Sequence, residues 1–298
     1  MSKYLISLTF TLISLFSFGQ TGNVLSITNK SKVLNKDVSY SIYLPPSYEK
    51  STRSYPVLYL FHGMWGDYTD WVNKGEVATI ANKAFATGEA PEMIIVMTEG
   101  FTDAFYQNNY DKSVMWEDYF INELMPDVES NYRIYKNRNY RAIAGLSMGG
   151  YGSVYHAIKH KDLFSYCYAM SGAFLDIAPL KAGEKPNQMF EDVYIRLWGK
   201  RQADGYHATY KANSIQEMIK AMDVYQAPQD WRVPGLPGFT IDCGDDDFLI
   251  QNNMDLIKIM KEKKIPVEFR VRDVGHTWSY WRESLGLALE AVGKKFRN

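Results

Sequence analysis

The sequence has few cysteines and no concentration of charge of one sign. Only two cysteines, Cys167 and Cys243, occur in 298 residues, which excludes a fold that depends on a framework of disulfides. Both lie inside apolar runs, so two buried free thiols are expected, although an oxidising compartment would allow them to pair. Basic and acidic residues number 33 and 34 without a block of like charges, which argues against nucleic acid or an anionic membrane as a partner.

The sequence also lacks a predominantly apolar run of the roughly 20 residues that a bilayer-spanning helix needs. A shorter apolar run, residues 4–16, follows Lys3, and small residues come after it. This order predicts a secretory signal peptide, residues 1–19, and a mature chain of residues 20–298 in the periplasm or outside the cell. No cysteine lies near the cleavage site, so we do not expect a lipid anchor.

Short apolar runs alternate with longer segments of helical periodicity. This alternation is typical of an α/β fold with a mostly parallel central sheet and helices on both faces, and the length suits a single domain. The predicted parallel strands are Val57–Phe61, Met93–Thr98, Arg141–Ala144, Ser165–Met170, Phe239–Cys243 and Val267–Val271. The predicted helices are Glu76–Thr87, Trp116–Ser130, Gly149–Lys159, Ser214–Ala221, Asn252–Lys263 and Ser279–Phe296.

Prolines mark the irregular parts of this pattern. Pro126 predicts a kink or an interruption in the helix of residues 116–130. Residues 176–237 hold five of the eleven prolines and no clear strand. We expect this segment to be an insertion with one or two helices near the active-site cleft, at the C-terminal edge of the sheet where open α/β folds bind ligands.

Two further runs, Val24–Thr28 and Val38–Leu44, precede the parallel strands. They flank the turn-like residues 35–37, so we expect an antiparallel hairpin at one edge of the sheet. Pro45 and Pro46 end the hairpin, because proline cannot donate to a β ladder.

The run Gly145-Leu146-Ser147-Met148-Gly149 fits the G-x-S-x-G pattern of a nucleophile elbow. It follows a predicted strand and opens a predicted helix, as the elbow requires. The flanking glycines are needed because a Cβ there would clash with the neighbouring strand or helix. Ser147 is therefore the candidate nucleophile.

A serine hydroxyl becomes a good nucleophile only when a base removes its proton, and histidine is the usual base. Of the five histidines, His156 and His160 lie on outer turns of the helix after the elbow. His62 is expected to shape a turn, and His207 lies in the insertion. His276 directly follows the last predicted strand, and its place after the serine matches the order Ser…Asp…His of this fold. His276 is therefore the candidate base.

The third member of such a triad is an acid that orients the imidazole. Asp242, Asp245, Asp246 and Asp247 cluster at the end of one predicted strand. Asp242 belongs to the strand and the other three to the loop, and residue types alone do not choose among these three. A solvated acidic turn or a calcium loop is the alternative reading, although the glycine and late glutamate of an EF-hand loop are missing.

The reaction also needs N–H donors for the oxyanion. In an elbow one donor is the residue after the nucleophile, which is Met148, and the other comes from a loop after an earlier strand. That loop is Phe61-His62-Gly63-Met64-Trp65-Gly66-Asp67, and we assign its donor to Met64.

Taken together, the motifs resemble those of the α/β-hydrolase esterases that include feruloyl and acetyl-xylan esterases, S-formylglutathione hydrolase (esterase D), enterochelin esterases and mycolyltransferases. The likeness extends from Ser31 to about Phe296. It rests on Ser31–Leu34, Tyr43–Pro46, the oxyanion loop with Trp71 behind it, Gly145–Gly150, Cys243-Gly244 with Asp247–Ile250, and Gly275-His276 with the tryptophan that follows. In this family the triad aspartate falls four residues beyond the cysteine of the Cys-Gly pair, which implies Asp247.

The resemblance implies a carboxylic-ester hydrolase that forms an acyl-enzyme on Ser147, with no cofactor and no metal, and the signal peptide predicts that this enzyme is secreted. Its substrate would be an ester linked to a carbohydrate, with acetyl or feruloyl groups on polysaccharides. An acyltransferase of the mycolyltransferase type, a thioesterase like S-formylglutathione hydrolase and a catalytically silent binding protein are the alternatives. Six aromatic residues are candidates for stacking on substrate, although most are expected in the core: Trp65, Trp71, Phe105, Tyr106, Trp278 and Trp281.

Overall fold

A computed structural model describes residues 21–175, 179–180, 184–185, 188–228 and 235–297, with the side chains of residues 188 and 189 left aside. The predicted signal peptide lies outside the described residues. So do parts of the predicted insertion of residues 176–237.

Eight strands form one sheet in the order β1-β2-β4-β3-β5-β6-β7-β8. The pairings β1–β2 and β2–β4 are antiparallel, and all others are parallel. This arrangement confirms the predicted α/β fold with its edge hairpin. The strands are β1 Asn23–Ser31, β2 Lys36–Leu44, β3 Val57–Phe61, β4 Ile94–Thr98, β5 Arg141–Leu146, β6 Tyr166–Met170, β7 Gly238–Gly244 and β8 Val267–Arg272.

Ten α-helical segments are described. The five short or interrupted ones are α1 Asp70–Asn73, α3 Trp116–Tyr119, α4 Met125–Asn131, α7 Tyr210–Asn213 and α8 Ile215–Ala221. The longer ones are α2 Val77–Ala86, α5 Met148–Lys159, α6 Gln188–Trp198, α9 Ile250–Glu262 and α10 Trp278–Arg297. Helices α6, α7 and α8 lie within residues 176–237, where one or two helices were expected.

Alternate residues of the central strands point to two separate cores. Leu58 and Leu60 of β3 belong to the core under α2 and α10, whereas Tyr59 and Phe61 belong to the core under α3, α4, α5 and α9. Side chains on successive strand residues face opposite sides of a sheet, so a strand covered on both faces is apolar throughout. This explains why β3 and β4 are wholly buried.

The helix predicted over residues 116–130 is interrupted before Pro126 rather than at it. A wide π-helical turn, Phe120–Leu124, separates α3 from α4, and Pro126 lies in the first turn of α4. Proline lacks an N–H and its ring crowds the carbonyl four residues earlier, here that of Asn122. A wider turn in the preceding residues accommodates this crowding, and the chain continues without a break.

Both cysteines, Cys167 and Cys243, are buried and free, as expected. Burial raises the pKa of each thiol to about 12, so neither is a reactive thiolate at neutral pH. No helix among the described residues combines the length and the apolar composition needed to cross a bilayer.

The strand order brings two important loops together. The chain leaves β3 for β4 on one side, and β5 then pairs with the other side of β3. The sheet thus changes winding direction between β3 and β5, and ligands bind in α/β sheets at the carboxyl ends of strands beside such a point. The loop after β3 and the Ser147 turn after β5 meet there.

Candidate active site

Ser147 occupies a sharp turn between β5 and α5. Its backbone has φ +52° and ψ −116°, a conformation that L-residues rarely adopt. Its N–H donates to Met170 O at 2.9 Å, and its carbonyl accepts from the N–H of Ala173 at 3.0 Å. These bonds to the β6 end hold the strained residue in place, and they point to a functional constraint on the turn.

The glycines around Ser147 permit this close packing. A Cβ on Gly145 would lie 2.3 Å from the carbonyl oxygen of Gly149, and one on Gly149 would lie 2.5 Å from that of His62. Both distances are far shorter than van der Waals contact, and the obstructing atoms belong to the backbone. The elbow therefore requires glycine at both positions.

A continuous hydrogen-bonded chain joins the three residues that were selected from the sequence. Ser147 Oγ lies 3.2 Å from His276 Nε2, and His276 Nδ1 lies 2.8 Å from Asp247 Oδ2. These distances let a proton pass from the serine to the imidazole while the carboxylate fixes the ring. The three side chains come from the loops after β5, β7 and β8.

Asp247 is held in an ionised state. Burial alone would raise the pKa of its carboxyl, but hydrogen bonds from His276, from the N–H of Leu249 and from Ser171 lower that pKa below its usual value. The Leu249 N–H donates to the second carboxylate oxygen, Oδ1, at 2.9 Å. A buried carboxylate with these donors is suited to stabilise a charged imidazole.

The structure also places the other aspartates. Asp245 and Asp246 are exposed and lie near Asp273, with ligand atoms within 4.8 Å of one another. Asp242 is buried and accepts hydrogen bonds from the hydroxyl of Tyr168 and from Arg272. Of the four clustered aspartates, Asp247 is therefore the one beside His276.

The remaining histidines have packing roles. His62 Nδ1 lies 2.7 Å from Gly63 O, and its Nε2 accepts from the N–H of Gly100 at 2.8 Å, so it ties the loop after β3 to the loop after β4. His156 and His207 are buried and contact backbone carbonyls of Tyr106 and Gly199. His160 lies 2.8 Å from the Glu117 carboxylate. None of these four lines the cleft that holds Ser147.

Both expected oxyanion donors border the nucleophile. Met64 and Met148 line the same cleft as Ser147, and Met148 is the first residue of α5. Within the described part of the chain, neither backbone N–H donates to another group. Two N–H groups without a partner beside a serine are suited to bind a developing negative charge.

The cleft itself has a volume of about 430 Å³ and a mostly apolar lining. Trp65 and Phe248 stand at its exposed rim, each 74% exposed, whereas Trp71, Phe105, Tyr106 and Trp281 are buried. The Trp281 ring packs edge-on to His276 at 4.8 Å, and the Phe248 ring lies 4.7 Å from it. Trp278 is partly buried, lines the cleft and packs edge-on to Trp281 at 5.3 Å.

Sequence reasoning missed Phe248 and Ser171. Phe248 follows Asp247 directly, and Ser171 lies between Asp247 and Trp281, whose indole N–H donates to its Oγ at 3.3 Å. The available signal for Ser171 was its position immediately after β6, at the ligand-binding edge of the sheet. Phe248 belongs to the run Asp247–Ile250 on which the resemblance rests, but nothing in that run assigns it a place at the cleft.

Comparison with known proteins agrees with this geometry. An acetyl esterase of Caldicellulosiruptor saccharolyticus is 25% identical over 280 residues, which cover 91% of this chain and 98% of that protein. An endo-1,4-beta-xylanase/feruloyl esterase of Xylanibacter ruminicola is 32% identical over 157 residues, which cover 51% of this chain and 22% of that longer protein. The solved structure of a ferulic acid esterase superposes with a TM-score of 0.75 at 33% identity, covering 93% of this chain and 99% of that one.

Residues 31–291 match the sequence profile of the family described as putative esterase. The match includes the elbow, the acidic loop and the histidine loop. The chain therefore belongs to the putative esterase family, and it is a carboxylic-ester hydrolase with the α/β-hydrolase fold.

Proposed function

We propose that the protein hydrolyses acetyl or feruloyl esters of polysaccharides through an acyl-enzyme formed on Ser147. The observation that carries this proposal is the hydrogen-bonded chain from Ser147 through His276 to Asp247, which opens into the cleft. Ser147 is the proposed nucleophile, His276 the general base and acid, and Asp247 the residue that orients and stabilises the imidazole. The reaction needs no cofactor or metal.

The steps follow from these positions. Ser147 Oγ attacks the ester carbonyl carbon while His276 Nε2 takes its proton, and the imidazolium is stabilised by the Asp247 carboxylate. The negative oxygen of the tetrahedral intermediate accepts hydrogen bonds from the N–H groups of Met64 and Met148. The C–O bond to the alcohol then breaks as His276 donates its proton to the leaving oxygen. A water molecule repeats the sequence and releases the acid.

The substrate class rests on the relatives and on the cleft. The relatives are named as an acetyl esterase, a xylanase/feruloyl esterase and a ferulic acid esterase. The cleft is apolar where an acyl group would lie, and Trp65 and Phe248 present exposed rings at its rim. Aromatic rings of this kind stack on sugars and on phenolic acids.

A series of p-nitrophenyl esters tests the substrate class. We expect kcat/KM to be highest for acetyl and feruloyl esters and to fall with increasing aliphatic chain length. A long groove would gain about 0.8 kcal/mol for each methylene it buries and would give the opposite slope. Acetylated and feruloylated xylan oligosaccharides, assayed alongside, should release acetate or ferulate.

A maximum at long chains, with no release from either oligosaccharide, would contradict the carbohydrate-esterase assignment and favour a lipase or an acyltransferase of the mycolyltransferase type. Preferential hydrolysis of S-formylglutathione would instead favour a thioesterase. Because all of these reactions use the same triad, the panel tests the substrate independently of the mechanism.

Secretion is part of the same proposal, because polysaccharides lie outside the cytoplasm. It is supported by the apolar segment after Lys3 and the small residues near Gly19. We expect full-length expression in a bacterial host to give a periplasmic or extracellular protein whose N-terminal residue, read by sequencing, is close to Gln20. A cytoplasmic protein that keeps Met1 would contradict this expectation.

A further inference from the structure

One part of the cleft wall carries charge. Among its described lining residues, Asp70 and Lys74 are the only acidic and basic side chains besides His276. They belong to α1 and the residue after it, and Lys74 Nζ lies 2.8 Å from Asp70 Oδ1. A few polar groups placed in an otherwise apolar cleft commonly orient a bound ligand.

The pair, which lines the cleft, has unused hydrogen-bonding capacity. The Asp70 side chain is only 11% exposed, and within the described residues its second oxygen, Oδ2, accepts no hydrogen bond. That oxygen lies against Gly66, another lining residue, where a Cβ would come within 2.4 Å of it. Lys74 is 52% exposed and has two further N–H donors. A carboxylate acceptor beside an ammonium donor matches the two hydrogen-bonding roles of a hydroxyl group.

The Asp70–Lys74 pair is connected to His276 by a series of contacts between tryptophan rings. Trp71 of α1 packs edge-on to Trp278 at 5.4 Å, Trp278 contacts Trp281 at 5.3 Å, and Trp281 contacts His276 at 4.8 Å. The charged pair and the histidine therefore belong to the wall built on the core under α2 and α10.

The other wall is apolar. Phe105 and Ala173 belong to the core on the opposite face of the sheet, and Leu175 and Phe190 pack against it. The cleft thus has a polar wall on the histidine side and an apolar wall on the other side.

The histidine protonates the leaving oxygen, so the alcohol of the ester lies on the histidine side and the acyl group extends away from it. Given the proposed function, on which this inference rests, we propose that Asp70 and Lys74 bind hydroxyl groups of the alcohol and so determine how strongly the site prefers a sugar ester to an ester of an alcohol without hydroxyl groups. Asp70 accepts from one hydroxyl and Lys74 donates to the oxygen of the same or the neighbouring one.

Comparing two acetyl esters measures the contribution of Asp70 and Lys74 to binding the hydroxyl groups of the alcohol. O-acetylated xylobiose and p-nitrophenyl acetate form the same acetyl-enzyme, and only the first has hydroxyl groups on its alcohol. We expect Lys74→Met to lower the ratio of kcat/KM for O-acetylated xylobiose to kcat/KM for p-nitrophenyl acetate by about ten- to a hundred-fold, the usual value of a hydrogen bond to a charged group. Asp70→Asn should lower the same ratio.

Lys294→Met is the matched control, because Lys294 forms an equivalent (i, i+4) ion pair with Glu290, 2.6 Å long, on α10 outside the cleft. We expect this variant to leave both rates unchanged. An unchanged ratio in Lys74→Met would overturn the inference. So would a loss on p-nitrophenyl ferulate relative to p-nitrophenyl cinnamate, because the pair would then contact the acyl group. The proposed function fails separately, if Ser147→Ala still hydrolyses p-nitrophenyl acetate.

Discussion

Ser147→Ala is expected to lower kcat for ester hydrolysis by on the order of 10⁴ to 10⁶, and His276→Ala by a similar factor. The reason is that serine and histidine act as one unit: the hydroxyl is unreactive without a base, and the base has no proton to accept without the hydroxyl. Initial rates with p-nitrophenyl acetate, measured at matched enzyme concentrations, give the comparison.

The double variant Ser147→Ala/His276→Ala should be hardly slower than either single one, because the second change removes a function already lost. Ser130→Ala provides a serine control, since Ser130 is exposed on α4 and does not line the cleft. Circular dichroism and Tm should show that all variants fold. If Ser147→Ala keeps more than about a tenth of the activity, the acyl-enzyme mechanism is wrong.

Asp247→Asn is expected to lower kcat by on the order of 10⁴, the second largest expected effect. An asparagine side chain can present its amide N–H to His276 Nδ1, which leaves the proton on Nε2 and removes the base from Ser147. The loss of the negative charge also destabilises the imidazolium. The shape of the side chain is nearly unchanged, so the Leu249 N–H keeps its acceptor and the loop should keep its structure.

Asp245→Asn and Asp246→Asn are built-in controls, because they make the same chemical change on exposed neighbours. Each should lower kcat less than about two-fold. A large loss in Asp246→Asn with little effect in Asp247→Asn would show that the register of this loop is different from the one described here.

The local pattern of apolar and polar residues was sufficient to predict the bounds of most strands in the sheet. The six predicted parallel strands lie within two residues of the observed bounds. Most are short apolar runs closed by polar or turn residues, whereas Val267–Val271 alternates apolar with charged residues. The order of the strands in the sheet could not be predicted in the same way. Nothing in the composition of β3 and β4 shows that β4 pairs on one side of β3 and β5 on the other, since that choice depends on packing over the whole sheet.

The site was predictable where a motif fixes backbone geometry, and less so elsewhere. The glycines at Gly145 and Gly149 point to the turn of Ser147, but residue types left Asp245, Asp246 and Asp247 as alternatives. In the structure Asp247 is buried, whereas Asp245 and Asp246 are exposed. The sequence of a short loop has no periodicity from which this difference in burial could be predicted. Asp70 and Lys74 gave no signal either, because an (i, i+4) ion pair on a surface helix is common and its proximity to the cleft depends on tertiary structure.

The spacing of the triad along the chain has a consequence for folding. Ser147 and His276 are separated by 129 residues, and strands β5 to β8 lie side by side in chain order, with β8 at the edge of the sheet. Parallel pairing between distant segments is slow to form. A chain in which the elbow has formed but β8 has not docked would carry the proposed nucleophile without its base. We therefore expect esterase activity, followed during refolding, to appear only with the completed sheet.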